Sequence, residues 1–267
     1  NLSSWQKVVN IKKQPKFNVT IGIVGKYIQL KDAYKSLSEA LSHSGIANNS
    51  DVDIKWIDAE ERLNLKKMKL LNGILVPGGF GKRGISGKIN SIKYARENNI
   101  PFLGICFGMQ LAVIEFARNK LKIKNAGSSE FNINNSENII GLMTEWEKNG
   151  KHEIRNTNSD YGGTMRLGSY ECRIKKNTLA YKIYGKSIIN ERHRHRYEMN
   201  INYENLYKNN SFIISGRSPD AKLPEIIEIK EHKWFLGVQF HPELRSRPLK
   251  PHPIFNDFIL NCLKSRP

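Results

Sequence analysis

Cysteine is scarce in this chain: three in 267 residues, at Cys106, Cys172 and Cys262. They are too few and too widely spaced for a disulfide framework or for the paired ligands of a structural zinc site. A reducing compartment fits, and no metal centre is expected. Long apolar runs are missing as well. No segment approaches the roughly 20 residues that span a bilayer, and no basic, apolar and small-residue succession marks a leader. The cytoplasm is therefore the expected location, without a membrane partner. The chain also lacks a GxxxxGK[ST] phosphate loop and the nucleotide-hydrolysing centre that goes with it. Acidic residues are the last deficit, 25 against 43 Lys and Arg, for a formal charge of +18. Clustered, that charge would read as a nucleic-acid surface. Here it is spread over solvated positions such as Lys66, Lys67 and Lys69, or Lys120, Lys122 and Lys124. With no zinc-finger, RNP or basic-zipper pattern, nucleic acid is not an expected partner; a basic face for an anionic nucleotide or an acidic domain accounts for the excess better.

Apolar residues make up 39% of the chain, enough for an ordinary soluble core. Residues 1–16 read as a short amphipathic piece with Trp5, then a linker at Lys12, Lys13 and Pro15. The β-branched FNVTIGIV predicts a strand over 17–24, and Ala33, Leu37, Ala40 and Leu41 recur at helical spacing before a stop at Gly45. A strand over 52–57, a helix over 63–71, a strand over 73–76, a helix marked by Ile89, Ile92 and Ala95, and a strand over 101–105 continue the alternation. This pattern predicts an α/β fold: an open, mostly parallel sheet with helices on both faces. Residues 132–160 are polar and read as an insertion or lid, with a loop around 149–159; 167–192 reads as several short strands and turns. A short helix at Leu206, strands over 212–215, 226–229 and 235–240, and a closing helix over 254–263 follow.

Three glycine- or histidine-bearing segments each end a predicted strand, where open parallel sheets gather their functional loops. GICFG, 104–108, sits between an apolar strand and a helix, and would expose Cys106 on a sharp turn with the helix N-terminus toward a thiolate. A buried structural cysteine would fit the same segment. PGGFG, 77–81, would let backbone N–H groups approach a ligand oxygen, although any tight loop needs such glycines. FHPE, 240–243, offers His241 as a base for the thiol and Glu243 to orient it, or simply a surface histidine beside a turn. His193 and His195, two apart on one strand face, lack a third ligand and lie among Arg192, Arg194 and Arg196, so local hydrogen bonding is preferred to metal binding.

With GICFGMQ and FHPE the chain resembles the class I, triad-type glutamine amidotransferases. With IGIVGKYIQLKDAYKSLSEAL, VPGGFGKRG, GTMRLG and ERHRHRYEMN it resembles more narrowly the glutaminase domains of CTP synthases, from about Trp5 to the C-terminus. The resemblance implies that Cys106 attacks the glutamine carboxamide, with His241 as base and acid and Glu243 as its orienter. It assigns the oxyanion hole to the N–H groups of Gly79 and Phe107, and substrate contacts to Phe80, Gln110, Glu130 and Arg196. Glu130 would take the α-ammonium and Arg196 the α-carboxylate; on sequence alone, Glu130 could equally cap or face solvent, and Arg196 belong to a surface charge run. Arg166, His193 and His195 become candidates for communication with another domain. The resemblance further implies a linker over 1–16 from a missing N-terminal synthetase domain and a glutaminase domain over 17–267. It implies no cofactor here, but ATP, UTP and Mg in the synthetase half and GTP as allosteric activator. The full-length protein would be a homotetramer, and the fragment could be monomeric and weakly active. A glutaminase serving another biosynthetic partner, a non-catalytic glutamine sensor and a cysteine peptidase are the competing functions.

Overall fold

The computed structural model describes residues 2–26, 28, 30–131, 137–142, 145–148, 151–154, 165–208 and 210–265. In chain order the elements are α1 (Leu2–Lys13), β1 (Phe17–Gly25), α2 (Lys35–Ala47), β2 (Ser50–Asp58), α3 (Leu65–Met68), β3 (Gly73–Val76), α4 (Ile85–Glu97), β4 (Phe102–Ile105) and α5 (Phe107–Asn119). Then come β5 (Ala126–Ser128), β6 (Glu137–Leu142), β7 (Glu145–Lys148), β8 (Lys151–Ile154), β9 (Arg166–Ile174), α6 (Leu179–Tyr184), β10 (Ile188–His195) and β11 (Tyr197–Met199). The chain closes with α7 (Glu204–Lys208), β12 (Phe212–Arg217), β13 (Pro224–Ile229), β14 (Phe235–Val238) and α8 (Pro253–Lys264).

The central sheet has nine strands in the order β10-β9-β12-β13-β14-β4-β3-β1-β2. Its β14-β4-β3-β1-β2 half is parallel, and β10-β9-β12-β13 extends it antiparallel, β13 pairing antiparallel with β14. The buried strands ILV of β3 and FLGI of β4 are apolar throughout because both sheet faces are covered. Ile92, Val113 and Phe116 pack one face; Leu41, Phe255 and Phe258 pack the other, all at most 1% exposed. From β1 the chain goes outward to β2 and then back across to β3, so the strand order reverses there. The carboxyl ends of the parallel strands beside such a reversal form the crevice where open α/β sheets bind ligands. A second sheet, β11-β6-β5, lies against α5.

The fold departs from the sequence expectations at several points. Helix α2 runs through Gly45 to Ala47, and the turn falls at Asn49, φ 52°. Gly45 serves close packing instead: a Cβ there would lie 2.7 Å from Val52 Cγ2 and 2.8 Å from Ser50 O. The helix expected over 63–71 is only α3, because Asn64 caps its start and the backbone N–H of Asn72 is already bonded to Thr20 O of β1 at 2.8 Å. The expected short strands of 167–192 are the two long antiparallel strands β9 and β10, in continuous register from Ile188 opposite Arg173 to His195 opposite Arg166. Between them α6 is capped by Thr178 and by Glu228, whose carboxylate accepts from Leu179 N at 2.7 Å. Strand β14 stops at Val238, since the His241 N–H turns to Arg192 O of β10 at 2.8 Å. Within the polar segment, Glu137–Leu142 is strand β6 with Ile139 and Ile140 fully buried, and Lys151–Ile154 pairs antiparallel with Glu145–Lys148. The rest of the expected lid, including 149–150 and 155–160, lies outside the described residues.

Candidate active site

Cys106 stands between β4 and α5 with φ 51° and ψ −102°, a backbone conformation disfavoured for any side chain. The turn is forced by close packing of α5 on the sheet. A Cβ on Gly108 would lie 2.0 Å from Val76 O of β3, so only glycine lets the helix start there. The turn is held by Cys106 N donating to Val238 O at 2.6 Å and by Gln110 N donating to Cys106 O at 3.2 Å. Cys106 is 5% exposed at the start of a helix whose first N–H groups have no intrahelical acceptor.

His241 follows β14, the neighbour of β4, so its ring reaches Cys106 across adjacent strands. Its Nδ1 lies 2.7 Å from Glu243 Oε1, while the Cys106 thiol faces Arg194 O at 3.9 Å. With Nδ1–H committed to the carboxylate, Nε2 is the nitrogen left for the thiol. Burial disfavours the charged ring, but the charge of Cys106, followed by the hydrogen bond and charge of Glu243, holds the imidazolium to about 11. Gly78 presses on this pair: a Cβ there would meet His241 Cε1 at 2.8 Å and Cys106 Cβ at 3.6 Å.

Gly79 and Phe107 are neighbours, the Cβ position of Gly79 lying 3.8 Å from Phe107 Cδ1. Phe80 is exposed, and the Lys26 ammonium at the end of β1 lies 4.6 Å from the centroid of its ring. Glu130 follows β5 in a short 3-10 turn, and its Oε1 accepts from Gly81 N at 2.7 Å. Burial pushes the Glu130 carboxyl above its ordinary range, while the Gly81 hydrogen bond and the charges of Lys26, Arg196 and Lys88 pull it back. Glu130 and Arg196, 66 positions apart in sequence, interact because β6 lies between β5 and β11 in the small sheet. Gln110 donates to Tyr197 O at 2.8 Å and to Gln239 Oε1 at 3.2 Å.

The remaining sequence candidates stand deeper. Along β10, Glu191, His193 and His195 are buried while Arg192 and Arg194 are exposed. His193 Nδ1 lies 2.8 Å from His195 Nε2, and His193 Nε2 lies 3.8 Å from Glu225. Arg166 pairs with Glu225 at 2.6 Å. Burial, then the charges of Arg166, His195 and His241, push His193 well below its ordinary value. Among the described residues no three His, Cys, Asp or Glu are placed to hold a metal ion, and no helix is long and apolar enough to cross a membrane.

Two residues near the triad were missed by sequence reasoning. Gln239, fully buried, donates from Nε2 toward Cys106 Sγ at 3.7 Å; a polar residue in the apolar run FLGVQF was its signal. Lys88, 1% exposed, holds its ammonium 5.0 Å from the Phe107 ring centroid. It stands on the same helical stripe as Ile85, Ile89 and Ile92, where an apolar residue belongs.

Residues 29–261 match the glutamine amidotransferase class-I family profile. The chain is 57% identical over 263 residues to a CTP synthase of Pelagibacter ubique, covering 97% of this chain and 48% of that protein. It is 54% identical over 265 residues to a CTP synthase of Lawsonia intracellularis, with the same coverage. It thus spans about half the length of these curated relatives. Among solved structures, the glutaminase domain of a Trypanosoma brucei CTPS with bound acivicin superposes with a TM-score of 0.83 at 36% identity, covering 92% of this chain and 94% of that one. A Thermoplasma acidophilum protein assigned to GMP synthase, 16% identical with a TM-score of 0.52 and coverage of 92% and 93%, shares the fold. The chain belongs to the class-I glutamine amidotransferase family and, within it, to the glutaminase domains of CTP synthases.

Proposed function

We propose that this chain hydrolyses L-glutamine to glutamate and ammonia through Cys106, His241 and Glu243. His241 takes the thiol proton, and Cys106 attacks the carboxamide carbon. Charge that develops on the amide oxygen is received by the N–H groups of Gly79 and Phe107. The imidazolium returns the proton to the departing nitrogen, ammonia leaves a γ-glutamyl thioester, and water activated by His241 releases glutamate. The observation that carries this reading is the His241–Glu243 hydrogen bond at 2.7 Å on a ring that shares the Gly78 corner with Cys106.

Substrate choice rests on the neighbouring charges. A free amino acid carries one positive and one negative group at its α-carbon, which Glu130 and Arg196 complement; a residue inside a peptide has neither charge and would leave both partners unpaired. This disfavours a peptidase. Gln110 and Phe80 would border the bound side chain. In a protein twice this length the ammonia would pass to a synthetase domain that uses ATP and Mg to convert UTP to CTP in the cytoplasm, with GTP as activator and Arg166, His193 and His195 toward that junction. Residues 1–16 would link the two domains and 17–267 would be the glutaminase.

Incubation with acivicin, followed by mass spectrometry, should place one adduct on Cys106, suppressed by excess glutamine and absent from Cys106→Ser. An adduct elsewhere, or one that glutamine does not protect, would overturn the assignment.

A further inference from the structure

Lys88 is a cation buried where burial is costly. It lies in the first turn of α4, is 1% exposed, and its ammonium forms no hydrogen bond or ion pair among the described residues. A lysine this deeply buried is ordinarily replaced or brought into direct contact with a carboxylate. Its surroundings show where the charge is directed. The ammonium stands over the Phe107 ring, 5.0 Å from the centroid, and 3.8 Å from the Cβ position of Gly79. These are the two residues whose N–H groups would receive the developing oxyanion in the proposed glutaminase reaction. The other charges around it are Lys26 from β1 and Glu130 after β5, and Glu130 also senses Arg196.

We propose, on the basis of that glutaminase reading, that Lys88 is a positioning residue for the oxyanion site, its ammonium holding the Phe107 ring beside Gly79 and biasing that corner toward negative charge. The cation's partner is thus transient: the oxygen charge that exists only during acylation and deacylation. Interactions stronger in the transition state than in the ground state raise kcat, not substrate affinity. A supporting charge behind the donors contributes less than a donor itself, whose loss costs about 10²–10³ in rate. The geometry is backed by the titration of the group: burial, then Lys26, lower Lys88 to about 8 against the opposing pull of Glu130. The residue is mostly charged at neutral pH and loses that charge a little above it.

The test is Lys88→Met, which keeps the length of the stem and removes the charge, in the complete protein that carries this chain. Glutamine turnover, KM, the pH profile of kcat/KM, binding of L-norvaline (an amino acid without the carboxamide) and the urea midpoint are measured together. The expected result is a kcat about 10–100-fold lower, with KM and L-norvaline affinity within about twofold, an unchanged or higher urea midpoint, and loss of an alkaline inflection near 8 that the parent is expected to show. A stabilised yet slower enzyme is not what removal of a packing residue gives. Turnover within about twofold of the parent, a lower urea midpoint, or a loss carried by KM and L-norvaline overturns the proposal. Failure of the glutaminase reading itself looks different: the parent would then neither hydrolyse glutamine nor take acivicin on Cys106.

Discussion

Replacing Glu243 by Gln keeps the side-chain shape and removes one charge, so it isolates what the carboxylate does for His241. The carboxylate oxygen lies 2.7 Å from Nδ1, and the two side chains are 15% exposed for His241 and 12% for Glu243. Both the distance and the partial burial belong to charge-assisted bonds in a poorly screened setting. Burial alone would leave the ring neutral, yet Cys106 and Glu243 together raise it to about 11 from 6.5. A carboxylate at hydrogen-bond distance shifts a proton-transfer equilibrium by about 10- to 1,000-fold. A second loss adds to this one. The glutamine amide can turn its NH₂ toward Nδ1, which then accepts and leaves the proton on Nε2, where no base faces the thiol. In the Ser-His-Asp template that exchange costs about 10⁴. Glu243→Gln is therefore expected to slow acylation of Cys106 by about 10²–10⁴. The assay is single-turnover labelling by acivicin at neutral pH, followed by intact mass, with a urea midpoint to show that the fold persists. Labelling within about twofold of the parent in a stably folded protein would refute the claim that Glu243 sets the state of His241.

Gly78→Ala places a methyl group 2.8 Å from His241 Cε1, and the ring must yield by roughly 1 Å, a displacement worth about 10² in rate. Acivicin labelling should fall by that factor while the urea midpoint stays close to the parent's, and an unchanged rate would show that the ring is free to move without cost. The buried histidine of β10 gives a pH prediction. His193 is held well below its ordinary 6.5 by burial first and by Arg166, His195 and His241 after it, so the unfolded chain takes up a proton that the folded one refuses. Stability is then full above about 6.5 and declines as pH falls, by about 1.4 kcal/mol per unit for one proton. Urea titrations between pH 6.5 and 5 should show that slope, and His193→Gln should reduce it; equal slopes in both proteins would place the proton uptake elsewhere. His241 has the opposite sign, since its folded value is raised: its contribution is complete below 6.5 and is lost as pH rises through about 11.

The parallel half of the sheet and the placing of His241 beside Glu243 were readable because each depends on residues adjacent in sequence. GICFG carries its own strand, turn and helix start, and HPE places the base and its orienter two residues apart. What was not readable depends on partners far along the chain. ERHRHR lacks the apolar-polar alternation that marks a half-buried strand, since its buried set is Glu191, His193 and His195; burial follows polar partners instead of hydropathy, Glu225 for His193 and Tyr184 with His252 for Glu191. The approach of the Arg196 charge to Glu130 needs β6, and β6 lies inside a segment whose composition reads as an insertion. Gln239 and Lys88 broke the local pattern, an amide in an apolar strand and a cation on an apolar stripe. Such breaks are the places where a function overrides local preference.

In the proposed reaction, acyl chemistry and substrate recognition would rest on different sheets, with Gln110 joining them. Cys106, His241 and Gly79 follow β4, β14 and β3 of the central sheet, where Gly108 against Val76 fixes the turn. Glu130 and Arg196 flank strands of the small sheet, β5 and β11. The Gln110 side chain, 4% exposed and rooted in α5, one turn past the nucleophile, donates at once to Tyr197 O beside Arg196 and to Gln239 beside Cys106. Both donors of its amide thus go to protein partners, and in the proposed reaction they would set the distance between the charges at the amino-acid end and the attacking sulfur. In the proposed reaction a free amino acid of the wrong length would satisfy Glu130 and Arg196 and still miss Cys106, so selectivity for glutamine would rest on the spacing of the two sheets more than on any single contact.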